Sequence, residues 1–143
     1  MANTNTKRIV ADGPDNAVVE LIGVLDTTAA EFAVAPAIDL STDFVNNLEQ
    51  GTLVGLRIDE IQYSLSDSLS ARLFWDATAD EIIAAFAGRG HFCFKSYNGL
   101  QPNRAAAGYT GDINLTINNI VVAAGTPIQV YTILLCMKKL YDV

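Results

Sequence analysis

The chain has 143 residues, of which 50% are hydrophobic and only 17% are charged, and its net charge at pH 7 is −7. The length suits one domain with its own core, and the charged share lies well below the usual value of about 25%, which indicates that part of the folded surface faces another protein rather than water. The acidic balance, with no block of like charges, argues against nucleic-acid binding, and no apolar run approaches the roughly 20 residues of a membrane-spanning helix.

The N-terminal stretch MANTNTKRIVADG is polar and carries two adjacent basic residues, Lys7 and Arg8. It has no apolar segment before a small-residue cleavage site, so it does not look like a secretory signal, and we expect the chain to reside in the cytosol. Residues 1–7 predict a flexible arm that a partner would order, and residues 8–143 predict a single β-sandwich domain.

Short runs of β-branched and aromatic residues, separated by Gly, Pro, Asn and Asp, predict an all-β chain. A first run ends at Val10, and further strands are predicted at residues 17–25, 53–58, 61–65, 69–75, 91–95, 112–117 and 128–138. Because strands do not alternate with helices, we expect about eight strands in an antiparallel, jelly-roll-like β-sandwich. One or two short helical turns are predicted within residues 39–50, capped by Ser41 or Thr42.

The segment RIDEIQYSLSDSLSARLFWD, residues 57–76, shows the clearest alternation of apolar and polar side chains. Its two arms, residues 61–65 and 69–75, are separated by Ser66-Asp67-Ser68 and predict a β-hairpin. Two successive polar residues, Asp59 and Glu60, shift the phase of the alternation. We therefore expect a β-bulge there, because a bulge keeps the same face of the strand inward.

Residues 81–87 fit either a strand or a helix that begins with a capping box at residues 78–81. The strand is the favoured interpretation, with Gly88-Arg89-Gly90 as the turn that follows it. Residues 96–111 have no period and many turn-forming residues, so they predict a long surface loop of the kind that often carries contacts.

Two predicted strands are apolar on both faces, whereas a strand of a β-sandwich normally exposes one face to solvent. We expect the second face to pack against a neighbouring chain, a loop or the segment 39–50. The two alternating sets are Val18, Ile22, Val24 and Val19, Leu21, Leu25 in the first of these strands, and Ile128, Val130, Leu134 and Tyr131, Ile133, Leu135, Met137 in the last.

Residue types that carry chemistry are few. His91 is the single histidine and is interpreted as an edge-strand residue, and Cys93 and Cys136 are interpreted as buried free thiols. Three Cys and His residues in total argue against a zinc site, which needs about four such ligands, and neither nucleotide-binding glycine motif is present. We therefore predict no catalytic residue, no cofactor and no metal, although the loops at Asp12 and Asp76 are candidates for weak calcium binding.

Carboxylates cluster at residues 12–15, 59–60 and 76–81, and we interpret them as solvated turns. A carboxylate-dependent hydrolase that uses Asp76 or Glu81 stays open as an alternative. So does a carbohydrate-binding or receptor-binding module that stacks sugars on Trp75, Tyr97 and Tyr109, although the phase of Trp75 favours a place in the core.

The runs IQYSLSDSLSARLFWDAT, FAGRGHF, NGLQPN, GYTGDINL and YTILLCMKK resemble a group of small virion proteins of tailed bacteriophages. The resemblance extends from about Lys7 to Lys139 and implies a capsid decoration, or cement, protein without enzymatic activity. It implies a homo-oligomer, with a trimer as the expected form, that sits on the outer capsid surface and bridges neighbouring major capsid proteins after assembly in the host cytoplasm. A neck or tail component is the alternative virion role.

Within this reading, we predict that the polar arm and the long loop contact the shell, because arms and loops adapt to a curved lattice. Arg and Tyr commonly anchor protein interfaces. The predicted partner-binding residues are Lys7, Arg8, Tyr97, Leu100, Arg104 and Tyr109.

Overall fold

The computed structural model describes residues 3–25, 31–44, 51–120 and 128–142. A four-residue helix, α1 (Leu40–Asp43), and a 3-10 turn at Lys95–Tyr97 accompany nine strands. The strands are β1 (Thr4–Asp12), β2 (Asn16–Leu25), β3 (Glu31–Ile38), β4 (Thr52–Leu65), β5 (Ser70–Trp75), β6 (Glu81–Ala87), β7 (Arg89–Cys93), β8 (Ile113–Asn118) and β9 (Gln129–Asp142).

The strands form two antiparallel sheets that enclose one core. The large sheet has the order β1-β2-β9-β4-β7, and the small sheet has the order β3-β8-β5-β6. Strands that follow one another along the chain mostly lie in opposite sheets, so the chain crosses the core repeatedly. The facing orders 2-9-4-7 and 3-8-5-6 are those of a jelly roll, with β1 added at one edge. The predicted all-β, jelly-roll-like sandwich is confirmed.

The core lies between the sheets and is filled by every second side chain of the long strands. From β2 and β9 of the large sheet, the inward side chains are at most 2% exposed: Val19, Leu21, Leu25, Tyr131, Ile133, Leu135 and Met137. Leu73 of β5 and Leu115 of β8 meet them from the small sheet. Each such side chain contributes about 1.5–3 kcal/mol by leaving water.

β4 is one strand of 14 residues where the sequence predicts two, at residues 53–58 and 61–65. Its pairing with β9 shifts by one residue between Ile58 and Glu60, so the predicted bulge is confirmed. Ile58 and Ile61 are both fully buried, although they are three positions apart and regular alternation would put them on opposite faces. The bulge therefore keeps the inward face continuous along the strand.

The predicted hairpin between residues 61–65 and 69–75 is wrong. β4 pairs with β9 and β7, whereas β5 pairs with β6 and β8 in the opposite sheet. The chain crosses the core in a turn in which the Leu69 N–H donates to the Ser66 carbonyl at 3.2 Å and Ser68 has a φ of 77°. The alternation of apolar and polar side chains shows which face of each strand is buried. It does not show whether the two strands pair in one sheet or lie in facing sheets, because the same faces are buried in both arrangements.

Residues 81–87 form strand β6, so the favoured interpretation is confirmed and the helical alternative is wrong. Gly88 alone joins β6 to β7, which belongs to the other sheet, and its φ is 72°. A residue with a β-carbon is strained in that left-handed conformation. One glycine thus makes the second short crossing between the sheets.

The helical prediction for residues 39–50 holds for one turn, α1. Asp39 is its N-cap, with a side chain that accepts from the Ser41 N–H at 3.0 Å, so the predicted caps Ser41 and Thr42 lie inside the turn instead. Residues 45–50 lie outside the described residues. β3 was not predicted because Pro36 interrupts its pattern, and the ladder to β8 is correspondingly irregular between Val34 and Ile38.

Thr4–Asp12 forms an edge strand, so residues 4–7 belong to the sheet rather than to a separate arm. Thr4 pairs with Val24, and Lys7 pairs with Leu21. The polar side chains did not reveal this pairing, because an edge strand that covers only the rim of a core needs few apolar residues. Residues 1 and 2 of the predicted arm lie outside the described residues.

Candidate functional site

The two basic residues predicted as contacts point to opposite faces of β1. Lys7 is half-buried, and its Nζ lies 2.6 Å from Oδ2 of Asp43 in α1. Arg8 is exposed and forms an ion pair with Glu20 of the neighbouring strand β2. Lys7 therefore ties the edge strand to the helical turn, whereas Arg8 lies on the outer face of the large sheet.

The four predicted loop residues also divide into two pairs. Tyr97 is 77% exposed and Arg104 is exposed, so their side chains are accessible to a partner. Leu100 is half-buried and exchanges two backbone hydrogen bonds with Ile58, of 2.8 and 3.0 Å. The Tyr109 hydroxyl donates to the Val54 carbonyl at 3.0 Å, and burial raises the pKa of Tyr109. Leu100 and Tyr109 hold the loop against β4.

This loop occupies the edge of β4 that β7 does not reach. β7 pairs with residues 60–64 of β4, and beyond that point Phe94 N–H donates to the Asp59 carbonyl at 2.8 Å. At Gly99, with a φ of 75°, an added β-carbon would lie 2.6 Å from both Arg57 and Asp59. The glycine lets the loop pack directly onto the ion pair that those two residues form at 2.8 Å.

The sequence predicts two strands that are apolar on both faces. In the structure, one of the two apolar sets of each strand points into the core. The second set points outward on the large sheet and is only partly covered, with Val24 40% and Val130 48% exposed. We call this surface the outer band. It consists of Val18, Ile22 and Val24 of β2 and Val130, Leu134 and Cys136 of β9.

The register of β2 and β9 pairs apolar residues at both ends of the outer band, whereas between those ends Ile22 lies opposite Thr132 and Leu134 lies opposite Glu20. Val24 lies opposite Val130, and Val18 lies opposite Cys136. Two adjoining depressions of about 590 and 520 Å³ lie beside it and share Ser64, Arg89 and Thr132 in their walls. An apolar strip bordered by polar groups is typical of surfaces that bind other proteins.

A charged cluster formed by β4, β7 and the 3-10 turn that follows β7 borders the outer band. Glu60 lies 3.0 Å from Nζ of Lys95 and 3.6 Å from Nε2 of His91. The hydrogen bond from Lys95 lowers the pKa of Glu60. His91 lies in the edge strand β7, as predicted.

The two cysteines flank Glu60 in register, Cys93 on β7 and Cys136 on β9. They are free thiols, as predicted, but not buried ones: Cys93 is exposed and Cys136 is half-buried. The prediction of burial fails because the apolar neighbours of Cys93, Phe92 and Phe94, point to the other face of the strand.

The aromatic residues considered for sugar binding do not form one platform. Trp75 is 5% exposed and belongs to the core, and its Nε1 finds no hydrogen-bond partner among the described residues. Tyr97 lies on the surface, while Tyr109 packs on β4. The core interpretation of Trp75 is confirmed.

The carboxylates of residues 76–80 are engaged in a turn. Thr110 Oγ1 donates to Asp76 at 2.7 Å, and Asn114 Nδ2 donates to both Asp76 and Asp80 at 3.2 and 3.3 Å. These bonds connect the β5–β6 loop to the start of β8. Within the described ranges, no group of three or more Cys, His, Asp and Glu side chains is placed to hold a metal ion. No helix of the described residues has the length and apolar character that crossing a membrane requires.

Sequence reasoning did not find an aromatic cluster at the side of the sandwich where β6 and β7 run. Tyr63 stacks on Phe86 with ring centroids 4.6 Å apart, and Phe92 lies 5.4 Å from Tyr63 and 5.9 Å from Phe94. Tyr63, Phe92 and Phe94 remain half-buried. The signal in the sequence was the dense set of aromatics in residues 86–94.

No protein-family model, curated protein or solved structure matches this chain.

Proposed function

We propose that the chain is a structural subunit of a tailed-phage virion that decorates the outer capsid surface and bridges neighbouring major capsid proteins. The observation that carries this proposal is the outer band, an apolar strip on the exposed face of a folded sheet. The resemblance of the sequence to small virion proteins supports the same class. The jelly roll fits it too, since this fold occurs in viral capsid proteins, although it also occurs in lectins and cupins.

The outer band would bind the shell by removing apolar surface from water, at about 25 cal/mol for each Å² buried. A small interface on one subunit is weak, but many copies held in a homo-oligomer bind a lattice with added avidity. Bridging adds contacts across the boundary between capsomers, so these contacts must also break before the shell opens. No covalent chemistry is required.

Charged and aromatic side chains around the outer band would set the orientation on the shell. Arg8 projects from the same face of the large sheet, and Tyr97 and Arg104 are exposed on the long loop. Lys7, Leu100 and Tyr109 would act indirectly, because their contacts within the chain hold β1 and the loop in place. The partner-binding role of all six residues remains part of the proposal.

The test is co-sedimentation of the purified chain with empty shells assembled from the major capsid protein of the same genome. The variant Val24→Glu/Val130→Glu places two charges in the outer band and is expected to lose shell binding while keeping the fold. Ala33→Glu/Ala35→Glu places two charges at exposed positions of β3 in the small sheet and is the matched control, expected to bind as the original chain does. Failure of the unmodified chain to sediment with shells, or equal binding by both double variants, overturns the proposal.

A further inference from the structure

The two depressions beside the outer band follow one another along β4 and β9, and we call them together the trough. The first depression extends from Ser64 towards Asp67, and the second extends from Ser64 towards Gln62. Arg89 of β7 lines both of them. In register, Arg89 lies opposite Ser64, and Ser64 lies opposite Thr132. The exposed side chain of Arg89 therefore stands where the two depressions meet.

Arg89 is the cation of the trough that has no acidic partner within the chain. The cations around the trough are engaged by carboxylates: Arg8 by Glu20, Arg57 by Asp59 and Lys95 by Glu60. Among the described residues, no carboxylate lies within ion-pair distance of Arg89, although Asp67 lines the first depression. Lys138 also lacks an ion pair there, but it lines neither depression. The chain has 16 acidic and 9 basic residues, so the unpaired guanidinium does not reflect a shortage of acids.

Polar groups without an internal partner surround this guanidinium. In the part of the chain that the structure describes, the side chains of Gln62, Ser64 and Thr132 make no hydrogen bond. The planar fork of an arginine donates two parallel hydrogen bonds to a carboxylate, and hydroxyl or amide groups can add further donors. The middle of the trough is therefore suited to a carboxylate.

The wall of the trough formed by Ile128 and β9 is apolar on both sides of Thr132. Ile128 and Val130 line the first depression and are 53% and 48% exposed. Leu134 lines the second depression and is half-buried. From Val130 to Leu134 the strand advances by about 14 Å, which is the length of an extended segment of about four residues. A ligand that fills the trough thus has an acidic group near its centre and apolar groups on either side.

We propose that the trough binds an extended protein segment that carries a carboxylate side chain between apolar side chains, with the carboxylate on Arg89. The identity of the partner, the major capsid protein, rests on the proposed function, because the same segment would cover the outer band. Its apolar side chains would lie on β9, and the ion pair would fix its position along the sheet. Arginine is enriched at protein interfaces, and charge complementarity there adds specificity.

The first test is co-sedimentation with shells. Arg89→Gln removes the charge, and we expect it to weaken shell binding about tenfold and to make the remaining binding less sensitive to NaCl. Arg72→Gln makes the same change at an exposed position of β5, in the small sheet, and is expected to bind as the unmodified chain does. Circular dichroism shows that both variants are folded. If shells bind Arg89→Gln as well as the unmodified chain, the role of Arg89 is overturned while the outer band keeps its function.

The second test examines the trough without shells. The probe is a short blocked peptide with glutamate between two leucines, and the control peptide has glutamine in place of the glutamate. At millimolar concentration, we expect the glutamate peptide to shift the amide NMR signals of residues 62–66, 89–91 and 130–134 in the unmodified chain. The glutamine peptide, and the glutamate peptide with Arg89→Gln, are expected to give shifts smaller by about tenfold at equal concentration.

A charge exchange completes the measurement. Arg89→Glu is expected to lose the response to the glutamate peptide and to gain one to the same peptide with lysine at its centre. Equal shifts from the glutamate and glutamine peptides, or no shift at residues 89–91, overturn the proposal. If the peptide shifts depend on Arg89 but the unmodified chain does not sediment with shells, the carboxylate site stands and the major capsid protein is excluded as its partner.

Discussion

Replacement of Gly23 by alanine tests whether the buried tyrosine of β9 dictates the residue opposite it. Gly23 pairs with Tyr131 across β2 and β9, and the Tyr131 ring is fully buried. A β-carbon at position 23 would lie 1.9 Å from Cε1 and 2.1 Å from Cζ of that ring. These separations are far inside van der Waals contact, so the ring would have to move.

The ring has little freedom to move. Its hydroxyl donates to Asn5 Oδ1 at 2.6 Å, which connects β9 to the edge strand β1. Inserting a methyl group into a packed core costs about 1–3 kcal/mol, and loss of the hydrogen bond adds about 1 kcal/mol. We therefore expect Gly23→Ala to lower the free energy of unfolding by about 2–4 kcal/mol. At this chain length the melting temperature falls by about 3 °C for each kcal/mol.

Urea denaturation of Gly23→Ala, Tyr131→Ala and the double variant provides the assay. With the ring removed, alanine at position 23 meets no clash, and its better strand propensity should make the second change neutral or stabilising by up to about 1 kcal/mol. Gly13→Ala is the control, since its β-carbon would lie 3.6 Å from the nearest atom. A loss of less than about 0.5 kcal/mol in Gly23→Ala, or the same loss with and without the ring, would refute the reasoning.

Three further changes test individual contacts. Tyr131→Phe keeps the ring and removes its bond to Asn5, so we expect a loss of about 1 kcal/mol in urea denaturation, and an unchanged midpoint would contradict a role for that bond. Tyr109→Phe removes the donor to the Val54 carbonyl, and faster amide hydrogen exchange in residues 99–111 should accompany a loss of about 1 kcal/mol, whereas unchanged exchange would show that the hydroxyl does not hold the loop. Burial raises the pKa of Asp112 above its ordinary value of 3.8, so the folded state binds a proton at this carboxyl group more tightly than the unfolded state does. The contribution of Asp112 to the free energy of unfolding should therefore fall as the pH rises from 3.8 through the folded pKa. Asp112→Asn retains an oxygen that can accept from the Leu40 N–H. Urea denaturation across that pH range should show the variant becoming more stable relative to the unmodified chain as the pH rises. A stability difference that does not change with pH would contradict this assignment.

Much of the fold was predictable, because the alternation of apolar and polar side chains indicates which face of a strand is buried. It identified most strands, the bulge at residues 59–60 and the two-faced apolar character of β2 and β9. It did not predict β3, where Pro36 breaks the pattern, or the pairing of residues 4–7, whose polar side chains cover only the rim of the core.

The outer band could be predicted from the sequence, because the apolar residues on both faces of β2 and β9 can be identified without knowing which strands lie beside them. The order of the strands in the two sheets could not. Alternation is a property of one strand, and it places Leu65 and Leu69 on a buried face without stating that the chain crosses to the other sheet between them. Strand order is decided by packing of the whole core, and that order alone leaves β6 at an edge and brings the ring centroid of Phe92 in β7 to 6.4 Å from that of Phe86 in β6.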